Sequence, residues 1–318
     1  MNTTDATGKH EPAQNQEPQR DHKPARDHKP ARDREPARDR EPARDREPAR
    51  DREPARDQEA APQRALSFGS QAAAYAEHRP DYAQAAVQWA LAPVLSREAI
   101  HVLDLGAGTG KLTGDIVTLA ATRPAGQLTV VAAEPDPAML AEFRTRMPEV
   151  QAMTGTAEAI PLPGHSVDAV LCGQSAHWFD LDKALPEIAR VLTDGGVFAG
   201  LWNMDDDRVP WVAGLLREYN PSMAASEWRQ REHNWLAGHQ GSERFSQTER
   251  AVFEHGQQRT ADSLVALFAT HSSQILMDSG TRAQNLGNIR DYLASRPETA
   301  RGEFRYPMLT GVLRSVKI

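Results

Sequence analysis

The stretch that decides the fold is HVLDLGAGTGK, residues 101–111. An apolar run closes on Asp104 and Leu105, and glycines then fall at every second position, Gly106, Gly108 and Gly110. A short apolar run bounded by a glycine turn reads as a buried strand, and Ile100–Leu105 fits that pattern. Glycines let a backbone approach a ligand closely. Phosphate, dinucleotide and nucleoside are the three ligand classes such a turn serves. A phosphate-cradling loop needs four residues between its first glycine and a Gly-Lys-Ser/Thr. Here only three residues separate Gly106 from Gly110, and Leu112 follows Lys111, so no hydroxyl is placed for a magnesium ion. The dinucleotide fingerprint G-x-G-x-x-G asks for a third glycine where Lys111 stands. Lys111 itself reads as a solvated lysine at a helix start. Nucleoside binding without a pyrophosphate is left. Glu134, at the end of the next apolar run, supports it, because a carboxylate there can accept both ribose hydroxyls.

Outward from this turn, strand and helix signals alternate. Leu112–Ala121, Pro137–Met147 and Asp182–Leu192 read as helices, the last stopped by Asp194-Gly195-Gly196. Leu128–Ala133, a weak Val150–Met153, Val167–Cys172 and Val197–Trp202 read as strands. Upstream, Ser67–Leu95 reads helical, split by Pro80, with Asp81 as the N-cap of its second part. Downstream, residues 210–245 read as helical and lying on the sheet, Ala251–Arg259 as a sixth strand, and Leu264–Ala269 and Ile289–Leu293 as helices. Phe304–Met308 and Gly311–Val316 give a strand-rich ending, expected to close the sheet with an antiparallel member. Strands alternating with helices predict a parallel sheet covered on both faces.

Composition narrows the function. Of 37 basic and 44 acidic residues, residues 1–66 hold 15 of each, so the remaining chain carries the whole net charge of -7. An acidic body has no general attraction for a phosphate backbone, which argues against nucleic acid. The single cysteine, Cys172, lies in an apolar run and reads as a small buried hydrophobe. No apolar run approaches the ~18 residues of a membrane span, and no stretch resembles a signal peptide, so a soluble cytoplasmic protein is expected. Residues 21–56 are six hexapeptides, DHKPAR twice and then DREPAR four times. Proline in every repeat breaks a helix, and almost nothing apolar offsets the ordering entropy. Residues 1–65 are therefore read as a disordered mixed-charge tail, and 66–318 as the folded domain.

The segments VLDLGAGTGKLT, VVAAEPDPAML, GTAEAIPLPGHSVDAVLCGQSAHWFD and ALPEIARVLTDGGVFAGLWN closely resemble class I S-adenosylmethionine-dependent methyltransferases. The similarity is to the type 11 domain and to the small-molecule branch that includes trans-aconitate and ubiquinone-biosynthesis enzymes. FGSQAAAYAEHRPDY resembles that branch's N-terminal segment. The likeness is strong over residues 68–203 and weak over 204–318. It implies a Rossmann-like α/β fold: a seven-stranded, mostly parallel sheet, helices on both faces, and one antiparallel strand near the C-terminus. It also implies S-adenosylmethionine as cofactor and a small organic molecule as methyl acceptor, a carboxylic acid being one candidate.

Carried over residue by residue, the resemblance puts Gly106, Gly108 and Gly110 along the donor, with Asp104 behind them. Glu134 takes the ribose, Pro135 and Asp136 turn beside the adenine, and Met139 packs near it. Thr156, Ala157 and Glu158 border the exocyclic amine; many relatives carry aspartate where Thr156 stands. Gln174 faces the methyl donor. Tyr75 and Arg79, one helical turn apart, are further donor contacts, Arg79 through a carboxylate. Trp178 and Tyr82 are candidate walls for the acceptor. Like Tyr75, they could also offer a cation–π face to the sulfonium. His177 follows the fourth strand and is, with Gln174, the candidate catalytic residue, either as a base or as a hydrogen-bond partner for a carboxylate. His165 reads as a solvated loop residue, Asp205-Asp206-Asp207 as an exposed turn, and His233, His239, His255 and His271 lack metal-ligand spacing. No metal is expected. After the fourth strand GQSAHWF stands where nucleic-acid amino-methyltransferases carry Asn/Asp-Pro-Pro-Tyr/Phe. Residues 204–250, with Trp211, Trp228 and Trp235, are the expected substrate lid. An NAD-dependent oxidoreductase and a non-catalytic S-adenosylmethionine-binding protein remain as alternatives.

Overall fold

The computed structural model describes residues 72–219, 243–275 and 277–318. The repeat tail, and the part of the expected lid that carries Trp228 and Trp235, lie outside the described residues. Seven strands form one sheet in the order β3-β2-β1-β4-β5-β7-β6. They are β1 (Ile100–Leu105), β2 (Leu128–Ala133), β3 (Ala152–Met153), β4 (Val167–Gly173), β5 (Leu192–Asp205), β6 (Glu249–Arg259) and β7 (Phe304–Val316). β1 pairs in parallel with β2 and with β4, and the order reverses between them. That switch point opens a crevice at the carboxyl ends of the strands. β7 runs antiparallel to both β5 and β6, as the ending of the sequence predicts.

Both faces of the sheet are buried, which is why the central strands read as unbroken apolar runs. Leu103, Val170, Cys172, Phe198 and Trp202 face one side, against Leu185 and Ile188 of α5 (Leu181–Val191). Val102, Ala169, Leu171, Ala199 and Leu201 face the other. They meet Val87 and Leu91 of α2 (Gln84–Leu91) and Ile116 of α3 (Lys111–Ala121). A third cluster joins Phe304, Tyr306 and Met308 to α6 (Pro210–Tyr219), α7 (Ala261–Ala269) and α9 (Ser279–Ala294). Helix α8 (Ser272–Ile275) is one turn. α1 (Ala72–His78) packs against α4 (Pro137–Arg146) and α7, so it bridges the helices that follow β2 and β6.

Several expectations are corrected. Asp81 does not cap α2; the N-cap position is Ala83, with no side-chain cap. The start of α2 is fixed by distant groups instead: Tyr82 N–H donates to Asp115 Oδ2 (2.7 Å) and Ala83 N–H to Thr310 Oγ1 (3.1 Å). Asp81 pairs with Lys111 Nζ at 3.0 Å, so Lys111 is an ion-pair partner and not a solvated lysine. The two C-terminal strand segments are one continuous β7. α9 runs 16 residues, far beyond the expected Ile289–Leu293, and its N-cap Asp278 accepts from Thr281 N–H at 2.9 Å. The triple aspartate is more than an exposed turn: Asp205 ends β5 and accepts from Tyr306 Oη, and buried Asp206 grips Arg208. Within the expected lid, residues 204–205 and 249–250 belong to strands. Phe245 is buried against Phe198 and bridges Lys317, at the edge opposite the glycine turn. Among the described residues no helix is long and apolar enough to cross a membrane.

Leu171 is fully buried in the centre of β4. Leu171→Ala is expected to destabilise the protein by ~2–5 kcal/mol through lost burial and the cavity left behind. Denaturant unfolding checks this; a change under ~1 kcal/mol would mean that β4 is not central to the core.

Candidate functional site

The three glycines of the turn all have positive φ: 70° at Gly106, 57° at Gly108 and 89° at Gly110. Two of them need glycine for a second reason as well. A Cβ on Gly106 would lie 2.7 Å from Ser175 Cβ, where the chain leaving β4 crosses the turn. A Cβ on Gly110 would meet Phe143 and Met147 at 3.1 Å, so that glycine lets α4 pack. A Cβ on Gly108 would meet nothing within 4 Å. Gly108 alone of the three faces open space, and it marks where a ligand can approach.

The turn is held from both sides of β1. Gly106 and Ala107 donate their N–H groups to Ala133 O of β2, at 2.8 and 3.1 Å. Ser175 Oγ donates to Leu105 O at 2.8 Å. The carboxylate of Glu134 accepts from Gly108 N–H on Oε2 and from Asp136 N–H on Oε1, both at 2.8 Å. A carboxylate has about four lone-pair sites, so each oxygen can accept once more. Burial pushes the Glu134 pKa up despite these two bonds. Asp136 caps α4, accepting from Ala138 and Met139 N–H, with Pro137 at the first helical position.

Below the turn lies an acidic floor. Asp104 is fully buried; Oδ2 accepts from Thr113 Oγ1 at 2.6 Å, and Oδ1 is buried without a partner. Burial, opposed by the Thr113 bond and aided by the Glu134 charge, raises its pKa to about 7. Asp115 of α3 accepts from Tyr82 N–H and Gln84 Nε2, and burial raises it to about 6. Tyr82 is buried beside them, pushed up by burial and then by Tyr75, Asp104 and Asp115. Its phenol oxygen lies 2.6 Å from where a Cβ on Gly173 would stand. The floor is therefore short of positive charge, which suits a ligand that brings its own cation.

The remaining sequence candidates distribute around this floor. Met139 and Ala157 are buried; Pro135 and Thr156 are exposed. Glu158 accepts from Asp180 N–H at 3.0 Å and so fixes the loop before α5. Gln174 follows β4 with φ 54°, and its Nε2 donates to Asn203 O at 3.0 Å. His177 and Trp178 lie on a single 3-10 turn, with ring centroids 4.6 Å apart. Trp202 Nε1 donates to His177 Nδ1 at 3.4 Å. Indole is a donor only, so a neutral His177 carries its proton on Nε2. Arg79 stacks on Tyr75 at 4.9 Å, as their one-turn spacing predicts, and donates to Thr270 O at 3.0 Å. Asn203, Asp115 and Ser175 were not anticipated. Asn203 joins Pro80 and Asp81 carbonyls to Thr310 Oγ1, tying the α1–α2 link to β5 and β7. Among the described residues no His/Cys/Asp/Glu group could hold a metal.

A carboxyl with a raised folded pKa holds its proton more tightly folded than unfolded. Folding is therefore opposed as pH rises from the unfolded value of 3.8 through about 6 and 7. The denaturation midpoint of the ligand-free protein is expected to fall between about pH 4 and 7, and Asp104→Asn is expected to flatten that fall. An equally steep fall in Asp104→Asn would place the proton elsewhere.

The comparisons agree with this geometry. A methyltransferase-domain family model matches residues 103–200. An uncharacterized methyltransferase of Mycobacterium tuberculosis is 39% identical over 235 residues, covering 74% of this chain and 88% of that protein. Trans-aconitate 2-methyltransferase of Delftia acidovorans is 34% identical over 131 residues, 40% of this chain and 46% of that one. A structure assigned as a type II methyltransferase from Anaeromyxobacter dehalogenans superposes with a TM-score of 0.54 at 25% identity, covering 75% of this chain and 96% of that one. With the match across most of the mycobacterial relative, and a switch-point crevice floored by acids, the chain belongs to the methyltransferase family.

Proposed function

We propose that the protein transfers a methyl group from S-adenosylmethionine to a small organic acceptor that carries a carboxylate. The observation that carries the donor assignment is the unpartnered, buried Oδ1 of Asp104 beneath a turn whose Gly108 faces open space. Bound there, S-adenosylmethionine supplies an electrophilic methyl on a cationic sulfur. In this reading Glu134 accepts the ribose hydroxyls with its remaining lone pairs. Met139 and Ala157 wall the adenine, beside Thr156 and Glu158. Asp104 attracts the cationic end of the donor, and Tyr82 and Tyr75 offer aromatic faces, worth roughly 0.5–2 kcal/mol each toward a cation.

The acceptor assignment rests on His177. With Nδ1 receiving the Trp202 indole, its Nε2 is a donor, which suits holding a carboxylate better than removing a proton. A carboxylate, ionised above pH ~4, needs no base to act as nucleophile. Trp178 forms a wall beside it. The similarity to a trans-aconitate methyltransferase supports the same class of acceptor. The dinucleotide reading is not favoured: Lys111 begins α3 in place of the third glycine and is paired with Asp81. The chemical work left to the chain is alignment of two reactants, which supplies up to ~7–11 kcal/mol.

Isothermal titration is expected to give micromolar binding of S-adenosylmethionine or S-adenosylhomocysteine and none of NAD. Glu134→Ala is expected to weaken donor binding more than tenfold, the loss of a charged contact worth ~1.5–3 kcal/mol. Tighter binding of NAD, or an unchanged donor affinity in Glu134→Ala, would falsify this reading.

A further inference from the structure

The sheet ends differently at its two edges. β3, at one edge, is two residues long. β6, at the other, runs eleven residues and keeps one register against β7 throughout. In an antiparallel edge strand, alternate residues turn their N–H and C=O groups to the neighbour and the others turn theirs outward. Among the described residues no strand pairs with the outer edge of β6. Proteins ordinarily blunt such an edge with a short strand, a bulge, a proline or a lysine. β3 is short, but β6 contains neither proline nor lysine, and its register against β7 has no bulge. An open edge of this length is a template for another strand.

The side chains of β6 indicate which strand fits. Phe253 lies against Trp89 of α2, with ring centroids 6.2 Å apart, so the odd-numbered residues face α2. Arg250, Val252 and Glu254 therefore share the opposite face, and all three are exposed. Val252 is 46% exposed although it stands within a strand. Glu254 keeps its side chain 77% exposed even while it pairs with Arg208. Along this face the charge runs from positive through an apolar centre to negative, so the strand read backwards is its own complement.

Two copies of one strand pair antiparallel about a two-fold axis normal to the sheet, which leaves each face on its own side. Residues directly opposite then share a face, and the residue at the axis meets its own copy. Centred on Arg250 or Glu254, the pairing sets like charges against each other. Centred on Ala251 or Phe253, it sets Val252 against Arg250 or Glu254. Centred on Val252, it sets each Arg250 against the Glu254 of the other copy and valine against valine, with Ala251 opposite Phe253 on the α2 side. Opposite charges across a strand pair stabilise it and like charges destabilise it, so the sequence favours this last register.

We propose that β6 pairs antiparallel with the β6 of a second copy of this chain, about a two-fold axis at Val252, joining the two sheets into one. β5 and β7 separate this edge from the β1–β4 switch point, and the inference does not depend on the methyl-transfer reading.

Sedimentation velocity of the full-length protein between about 1 and 100 μM tests it. A concentration-dependent dimer is expected. Arg250→Glu and Glu254→Arg are each expected to weaken it about tenfold or more, because each sets like charges opposite one another twice. Val252→Lys, which brings lysine against its own copy, is expected to do the same. The double variant Arg250→Glu/Glu254→Arg exchanges the charges and is expected to dimerise as the wild type does. All three positions are exposed, and far-UV circular dichroism checks that each variant is folded. A wild-type protein that stays monomeric throughout this range overturns the proposal, as it would if the outer edge were covered by the chain itself. So does a dimer undiminished in all three single variants, or a double variant that remains as weak as the single ones.

Discussion

The carboxylate of Glu134 is the constraint around which the site is built. It ends β2 in a buried position, where an unsatisfied charge is costly. Its bonds come from two backbone N–H groups, Gly108 in the turn after β1 and Asp136 in the turn after β2. To present its N–H to Glu134 the turn must curl back over the end of β2, as the bonds of Gly106 and Ala107 to Ala133 O also require. Only left-handed φ values permit that curl, and only glycine adopts them at little cost. The acid and the glycines are thus one device, although 24 residues separate Gly110 from Glu134.

The glycines themselves divide the work. Gly106 admits Ser175 and Gly110 admits Phe143, so two of the three serve the protein's own packing. Gly108 faces open space. A family motif read as a single binding element therefore joins two packing constraints to one open position. The same holds for α1 and the link to α2. That link carries Arg79 and Tyr82 toward the crevice, and Asn203 and Thr310 hold it from two strands.

What the sequence made legible was local. β1, β2 and β4 are buried on both faces and read as apolar runs; the glycine turn and Glu134 sit at their ends. β7 was read as two pieces, Phe304–Met308 and Gly311–Val316, with a break at Leu309–Thr310, although the strand runs through and carries Pro307 within it. The proline is tolerated because its carbonyl points to Asp206, past the last β5 residue paired with β7, so the missing N–H faces no ladder partner. α9 was read short because only Ile289 and Leu293 are buried, leaving little apolar period to detect, although Asp278 was a readable cap. Asp81 looked like a cap because caps are local rules, whereas the actual tether, Thr310, is 227 residues away. The residues missed around the site share that character. Asp115 and Asn203 act through partners 33 and 122 residues distant, and no spacing rule finds such pairs.

The acidic floor also limits how the protein can accelerate transfer. Methyl transfer disperses the charge of the sulfonium. A carboxylate set against the sulfur would therefore hold the reactant more strongly than the transition state, and it would slow the step. The same carboxylate set against a charge that survives the reaction, such as the ammonium of the donor, binds both states alike and costs no rate. Asp104 sits behind the glycine turn, not at the exit of β4, where Gln174 and His177 stand. In the proposed reaction the acids bind, while the aromatic and amide groups around β4 and β5 are left to orient. Holding the acceptor against a cationic donor in that proposed reaction converts binding energy into alignment.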